Sequence, residues 1–421
     1  MSIWAVSGAA GYGKTYRLTQ RLEHELLAQP LAPGQSVLAL TFMHGARQRL
    51  DQRLRELPAL KGRFDCVTVD GFARTLRERW RTLGASIGQP MVNAVDFDLQ
   101  CKLAADLLDR EFVGSWVRAG HPIIILDEAQ DLDADRLRLL AALCSRASVL
   151  VAFDDFQCLD SGLRPSPVAK WLPMVCEVEV LQKPQRTAVP ALLNAASSIR
   201  AGEAPMEGTG FKMAGCLGAN QAAALLASTL QFPSQARSIA VITPALVGGY
   251  AKGLIEMVCT KPCGSKKYGP FPIVWESSES SAMGQVEALD IAESTSPGEL
   301  LAVLAPVSQS GLGSSLERWV RRQRDVLGRE QIERLEVFDM ARRLVALQRA
   351  HTHRSDLGRR AMTVHQAKNR EFDGVVVLWP HTVGGDEEAK RRLLYNAVTR
   401  ARKWCKVITQ GEGALNKVPF R

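Results

Sequence analysis

The segment Gly8-Ala9-Ala10-Gly11-Tyr12-Gly13-Lys14-Thr15 constrains the fold of this chain more than any other. Its spacing, G-x-x-x-x-G-K-[ST], is that of a loop whose backbone N–H groups surround the phosphates of a nucleotide. An apolar run at residues 3–6 precedes the loop, and leucines at helical spacing follow it (Leu18, Leu22 and Leu26). This order of strand, glycine-rich loop and helix predicts a parallel α/β domain with a nucleotide site at the loop.

Short apolar runs alternate with helical stretches along the rest of the chain, which favours parallel sheets covered on both faces. One series of runs comprises residues 3–6, 37–42, 66–69, 123–126 and 149–153, and a second comprises 238–242, 374–378 and 406–409. We therefore predict an α/β fold with two parallel-sheet domains, each interrupted by a short helical insertion. The predicted bounds are 1–195 with an insertion at about 74–120, and 196–421 with an insertion at about 282–358.

Composition narrows the class of partner. The 421 residues carry a net charge of +9, which favours a polyanionic partner such as nucleic acid. No apolar run approaches the roughly 20 residues that a membrane span needs, so no membrane partner is expected. A strand already at residue 3 leaves no room for a signal peptide, and the nine cysteines are scattered without zinc-site spacing. These features predict a cytoplasmic protein with reduced thiols.

Four residues in two segments carry the expected phosphate chemistry. Lys14 is expected to lie against the β- and γ-phosphates, and the Thr15 hydroxyl to hold Mg²⁺. Asp127 and Glu128 follow the apolar run 123–126, where parallel sheets place ligands. Asp127 is a candidate Mg²⁺ ligand and Glu128 a candidate for polarising the attacking water. The same acidic cluster also suits the start of the next helix.

Three further residues are candidates for the transferring phosphoryl group. Gln157, just past the run 149–153, either senses the γ-phosphate and orients the water or belongs to an ordinary turn. Arg186 and Arg400 are candidate stabilisers of the charge that develops in the transition state. Taken alone, one arginine in so basic a chain indicates little, so these two depend on their context.

Eight segments resemble, in order, the motifs of superfamily 1 helicases of the UvrD/Rep type. They are 8–15 (motif I), 38–50 (Ia), 68–73 (Ib), 127–131 (II), 153–160 (III), 181–187 (IV), 363–378 (V) and 395–402 (VI). The resemblance extends over almost the whole chain. It implies two RecA-like P-loop NTPase domains with ATP at their interface and single-stranded DNA across them.

The resemblance also implies roles for individual residues. Lys14, Thr15, Asp127, Glu128 and Gln157 would serve Mg²⁺ and ATP from the first domain. From the remainder of the chain, Arg186 and Arg400 would contact the γ-phosphate and Glu371 the ribose. The positions that usually contact the DNA strand are Thr41, Phe42, His44, Thr363 and His365.

The chain departs from the family at several of these positions. Only seven residues precede Gly8, so the usual adenine-reading glutamine is absent, and Gln185 stands where a base-stacking tyrosine is usual. Tyr16 either replaces that stacking face or packs against its helix, and GTP is expected to be tolerated. In motif III, Cys158 and the residues after it replace the aromatics that stack on bases, and Asp70 replaces the motif Ib histidine.

The leading functional hypothesis is an ATP hydrolase that acts as a DNA helicase or single-stranded-DNA translocase. Its partners would be single-stranded DNA or DNA junctions, and its movement would be 3′→5′ by family resemblance. The alternative is a DNA-sensing accessory ATPase, or switch, that regulates a partner such as a nuclease in a defence or repair module. Short insertions and the missing motif III aromatics favour the switch.

Overall fold

The computed structural model describes residues 2–42, 44–90, 96–231, 237–276, 279–351 and 357–421, and of residues 44–45, 279–282, 343 and 346–351 it describes the backbone alone. The chain forms two compact units. The larger contains Met1–Pro90, Asp98–Glu276 and Ser355–Arg421, and the smaller contains Met91–Phe97 and Ser277–Arg354. Both parallel sheets belong to the larger unit.

The first sheet is built from the first 181 residues. Its described strands are all parallel and lie in the order β3-β2-β4-β5-β1-β6. Their bounds are β1 (Ile3–Gly8), β2 (Val37–Thr41), β3 (Phe64–Thr68), β4 (Ile123–Asp127), β5 (Ser148–Phe153) and β6 (Val178–Leu181). Because β1, β4 and β5 are central neighbours, the segments that follow them meet at one edge of the sheet.

Helices cover both faces of this sheet. The first, α1 (Lys14–Ala28), begins directly after Gly13 and buries Leu18, Leu22 and Leu26 against the strands. Between β3 and β4 the described secondary-structure elements are helices. The other helices of this half are α2 (His44–Arg55), α3 (Val69–Arg79), α4 (Arg81–Ser86), α5 (Phe97–Leu108), α6 (Glu111–Gly120), α7 (Ala134–Cys144) and α8 (Pro167–Val175).

The second sheet has the same parallel character, with its described strands in the order β7-β14-β13-β8-β12-β9. Its strands are β7 (Phe211–Cys216), β8 (Ser238–Thr243), β9 (Val274–Trp275), β12 (Gly358–Thr363), β13 (Phe372–Trp379) and β14 (Ala401–Gln410). The accompanying helices are α9 (Pro190–Ala201), α10 (Ala219–Gln231), α11 (Tyr250–Thr260), α16 (Val364–Ala367) and α17 (Glu387–Val398).

The smaller unit is mostly helical and has its own core. Leu300, Leu304, Leu316, Val320 and Val337 are buried together in it. Its elements are α12 (Glu279–Glu287), β10 (Ser294–Thr295), α13 (Pro297–Leu304), α14 (Gly311–Asp325), β11 (Ile332–Glu333) and α15 (Arg334–His351), with β10 and β11 paired antiparallel.

The predicted α/β class with two parallel sheets is confirmed, and all eight apolar runs are strands whose ends differ by a few residues. Among the strands of the two parallel sheets, sequence analysis missed β6, β7, β9 and β12. These strands are short or interrupted by charged residues, as in Arg359 and Arg360 of β12, so they lack a continuous apolar run. The domain bounds stay a prediction. The boundary at 195/196 falls within α9, whose Leu192 and Ile199 pack in the core of the second sheet.

Two general expectations have structural counterparts. None of the described helices is both long and apolar enough to cross a membrane. All nine cysteines are free thiols, and burial raises the pKa of Cys144 to about 12, which keeps this thiol protonated.

Candidate nucleotide site

The phosphate loop between β1 and α1 depends on glycine at two positions. Gly11 and Gly13 have φ angles of 82° and 84°, in the left-handed region that favours glycine. A Cβ on Gly11 would also lie 2.9 Å from the Cβ of Arg186. The Gly11 carbonyl accepts hydrogen bonds from the backbone N–H groups of Gln185 and Arg186, at 2.7 and 2.9 Å. The loop is therefore packed directly against the segment that resembles motif IV.

Lys14 and Thr15 lie at the start of α1, facing the ends of β4 and β5. The Lys14 ammonium is almost fully buried and donates to the carbonyl oxygens of Gly8 and Ala9, at 3.0 and 3.3 Å. The Thr15 hydroxyl donates to Oδ2 of Asp127 at 2.8 Å. This places a hydroxyl and a carboxylate oxygen side by side, the hard oxygen ligands that Mg²⁺ prefers.

The oxygen atoms of Thr15 and Asp127 fit a Mg²⁺ ion that is also bound by nucleotide phosphates, rather than a metal ion held by protein side chains alone. Throughout the described part of the chain, no group of three or more His, Cys, Asp or Glu side chains could hold a metal ion. Mg²⁺ commonly takes one or two protein oxygens and completes its shell with water and substrate phosphates. Burial, and then the Glu128 carboxylate, raise the pKa of Asp127 above its ordinary value.

Glu128 has a left-handed backbone conformation, with φ of 61°, directly after β4. Its carboxylate accepts a hydrogen bond from Nε2 of Gln130 at 2.6 Å, while Oε1 of Gln130 accepts from the Asp154 N–H at 3.0 Å. Burial alone would raise the pKa of Glu128, but Lys14 and Lys368 outweigh it, and the pKa lies below its ordinary value. Glu128 is therefore held ionised, as a base that orients water must be.

Arg400 comes from the other half of the chain, immediately before β14, and is 2% exposed. Its Nη2 donates to Oε1 of Gln157 at 3.1 Å, and its Nε donates to the Asn396 carbonyl at 3.0 Å. Gln157 in turn donates from Nε2 to Asp154 at 2.9 Å. The structure thus brings the two predicted residues Gln157 and Arg400 into direct contact across 243 positions of sequence.

Arg186 and Glu371 also meet. Nη2 of Arg186 lies 2.9 Å from Glu371, and its Nη1 donates to the Thr399 carbonyl at 3.0 Å. Arg402 and Arg49 approach the same Glu371 carboxylate, at 3.1 and 3.6 Å. Burial would raise the pKa of Glu371, but these arginines hold it at about 2. In this arrangement the residue expected at the ribose is the centre of an arginine cluster.

The remaining loop residues differ in their surroundings. Tyr16 is 57% exposed, and its hydroxyl accepts from Gln20 at 3.0 Å, so its ring is not part of the core. Tyr12 is half-buried at the loop. The Ala10 N–H donates to the hydroxyl of Tyr395 at 2.8 Å, which links the loop to α17.

The residues predicted to contact DNA differ in how exposed their side chains are. His365 is exposed, and Thr363 caps α16 by accepting from the Gln366 N–H at 3.3 Å. Thr41 is fully buried at the end of β2, so the structure does not support a direct contact between its side chain and a DNA strand in this conformation. The side chain of His44 lies outside the described residues.

Phe42 and Asp70 belong to one arginine-centred cluster. The Arg136 guanidinium lies over the Phe42 ring, 5.5 Å from its centroid. It also pairs with Asp70 at 2.8 Å and Asp98 at 2.7 Å. The negative charge of Asp70, unexpected beside a phosphate backbone, is therefore neutralised within the protein.

Sequence reasoning missed several residues that link the two halves. Lys368 lies 2.6 Å from Asp131, with both side chains buried, and Arg392 pairs with Asp155 at 2.9 Å. Arg200 pairs with the fully buried Asp154 at 2.7 Å. Lys368 and Arg392 lie in or next to segments already compared with motifs V and VI. Arg200 has no such signal, because nothing in its local sequence distinguishes it from a surface helix residue.

The Lys368–Asp131 pair predicts a stability effect. Lys368→Ala leaves a buried carboxylate without its cation, and we expect the free energy of unfolding to fall by about 3–5 kcal/mol. Chemical denaturation followed by circular dichroism measures this. The matched control is Asp131→Asn combined with Lys368→Met, which removes both charges and should recover most of the loss. If Lys368→Ala were as stable as the unchanged protein, the Lys368–Asp131 pair would not stabilise the fold as we expect.

Two family models match separate parts of the chain. A family model described as an AAA domain matches residues 1–163, which contain the phosphate loop, Glu128 and Gln157. A model described as a UvrD-like helicase C-terminal domain matches residues 359–408, which contain Glu371 and Arg400. No curated protein matches the sequence.

Among solved structures, the chain is similar to the arterivirus nonstructural protein 10 helicase, with 13% sequence identity and a TM-score of 0.40. The alignment covers all of this chain and 62% of that one. The chain therefore spans less than two thirds of the length of that relative.

Proposed function

We propose that this chain is a UvrD-like helicase of superfamily 1, an ATP-driven helicase or translocase that moves on single-stranded DNA. The observation that carries the proposal is the convergence of one reaction site from two sheets. Lys14 and Glu128 come from the first sheet, whereas Arg400 reaches Gln157 from the second. A site divided in this way couples nucleotide chemistry to the contact between the two halves.

The proposed roles follow from charge and position. Lys14 and Arg400 stabilise the charge on the transferring phosphoryl group, and Glu128 accepts a proton from the attacking water. Arg186, packed on the loop at Gly11, adds a second guanidinium near the phosphates. Thr15 and Asp127 hold Mg²⁺, which neutralises phosphate charge when bound.

The ribose role of Glu371 stays a proposal and requires that nucleotide draw Glu371 away from at least one of its arginines. Tyr16 is exposed beside the loop and remains the candidate stacking face for the base. A preference between ATP and GTP would then be weak, because stacking accepts every base.

The DNA side of the proposal is supported by net charge and by the exposed His365 at the end of the second sheet. Family resemblance gives the expected polarity of movement, 3′→5′. Because phosphate contacts release counterions, we expect the affinity for single-stranded DNA to fall at least about tenfold between roughly 50 and 200 mM salt. Fluorescence anisotropy of a labelled oligonucleotide measures this, and a flat salt response would contradict a basic DNA-binding groove.

The deciding experiment is ATP hydrolysis with and without single-stranded DNA, followed by strand-displacement assays. Stimulation by DNA together with displacement of a duplex supports the motor. Absence of hydrolysis under both conditions would overturn the proposal.

The second candidate is a DNA-sensing ATPase that controls a protein partner such as a nuclease. It is favoured by the state of the expected strand-contacting positions, where Thr41 is buried, Phe42 lies under Arg136 and Cys158 is fully buried. Fewer side chains are then available to stack on bases than a processive motor needs. Hydrolysis without duplex displacement at any salt concentration would favour this switch over the motor.

A further inference from the structure

The feature of interest is the buried carboxylate of Asp154, just after β5, which faces two cations at once. Its Oδ1 lies 2.7 Å from Nη1 of Arg200, and its Oδ2 lies 3.8 Å from Nζ of Lys14. Asp154 itself is 1% exposed, so water contributes little to balancing its charge. Lys14 is also held by the carbonyl oxygens of Gly8 and Ala9.

Arg200 is held in position by aromatic rings as well as by charge. Its guanidinium lies 5.4 Å from the ring centroid of Phe156 and 5.8 Å from that of Tyr395. Its Nη1 also lies 3.4 Å from the Tyr395 hydroxyl, which accepts the Ala10 N–H of the phosphate loop. Arg200 therefore approaches Asp154 from α9 in a defined orientation.

We propose that Arg200 is a positioning residue for nucleotide binding: it is the counter-ion of Asp154 that allows Lys14 to leave this carboxylate for the phosphates. The inference rests on the proposed function, since it concerns the same nucleotide site. Lys14 can move to a polyphosphate at low cost only if Asp154 keeps another cation. Without Arg200, the departure of Lys14 would leave a buried carboxylate uncompensated, which is strongly unfavourable.

The test measures nucleotide affinity rather than turnover. With Mg²⁺ and N-methylanthraniloyl-ATP as the probe, we expect Arg200→Gln to weaken binding about tenfold while kcat at saturating ATP changes less than about threefold. Arg200→Lys retains the charge and should recover most of the affinity. The Arg200 side chain is partly exposed (38%), so folding should be retained, and thermal melting checks this.

A second substitution distinguishes action through Asp154 from direct contact with the nucleotide. Asp154→Asn removes the carboxylate that holds Lys14, so the double variant Asp154→Asn/Arg200→Gln should bind within about threefold of the unchanged protein. The matched control is Arg17→Gln. Arg17 has a similarly accessible side chain (39%), and its guanidinium pairs with Glu179 rather than with Asp154, so this variant should bind nucleotide normally.

Two outcomes overturn the inference while leaving the proposed function intact. Either Arg200→Gln binds the probe as tightly as the unchanged protein, or the double variant remains as weak as Arg200→Gln alone. An unchanged protein that does not bind the probe would instead overturn the proposed function.

Discussion

Lys14→Ala is expected to lower kcat/KM for ATP hydrolysis by at least about 100-fold. Lys14 is the one lysine of residues 8–15, and a charge aimed at developing phosphoryl charge in a water-poor site contributes about 3–4 kcal/mol to transition-state stability. The side chain is 7% exposed, which keeps competing water away from it. A coupled assay of phosphate release measures the effect.

The fold should survive this substitution. Asp154, one of the partners of Lys14, keeps Arg200 at 2.7 Å, so its buried charge stays compensated. Lys170→Ala is the matched control, because Lys170 is an exposed lysine of α8. Hydrolysis by Lys14→Ala at the rate of the unchanged protein would show that the loop is not the nucleotide site.

Arg400→Ala is expected to reduce kcat about 1000-fold while the affinity for nucleotide stays within about threefold. A guanidinium that acts on the transferring phosphoryl group typically contributes 10³–10⁵ in rate, at the lower end here because Arg186 remains. A loss in kcat without a loss in binding is typical of an interaction made only in the transition state. Single-turnover hydrolysis and equilibrium binding of the same variant separate the two quantities.

The charge of Arg400 is expected to favour catalysis but to destabilise the folded state. Within the described chain no carboxylate lies within ion-pairing distance of Arg400, whose partners are neutral oxygens of Asn396, Thr399 and Gln157. Burial, and then the positive charge of Arg186, lower the pKa of Arg400 to about 10. A cation whose pKa is lowered by folding destabilises the folded state below that pH. Arg400→Ala removes this unfavourable charge, so its melting temperature should fall no further than the loss of side-chain packing alone would lower it.

Arg391→Ala is the matched control for Arg400→Ala. Arg391 belongs to α17, the helix that precedes Arg400 in the sequence, and it pairs with Glu387 on the same helix at 3.7 Å. The Arg391→Ala variant should hydrolyse ATP at the rate of the unchanged protein. If Arg400→Ala did the same, the two halves of the chain would not share one reaction site.

The sequence by itself determined eight strands and the phosphate-binding loop, because these depend on local patterns. The apolar runs that became β1, β2, β4 and β5 are short and β-branched or leucine-rich, and the spacing of Gly8, Gly13 and Lys14 specifies a loop conformation within eight residues. The order of motif-like segments then indicated that the first and last parts of the chain serve one site.

Only the tertiary structure decided which side chains face one another. The pairs Asp154–Arg200 and Asp131–Lys368 join residues 46 and 237 positions apart, and the local sequence around each residue does not reveal its partner. The tertiary structure likewise decided that arginines surround Glu371. It also decided that Thr41 is buried, although a residue that contacts DNA would be expected at the surface. A side chain's burial and its counter-charges are set by the packing of distant strands and helices, so local patterns predict where a functional segment lies but not the electrostatic partners that control it.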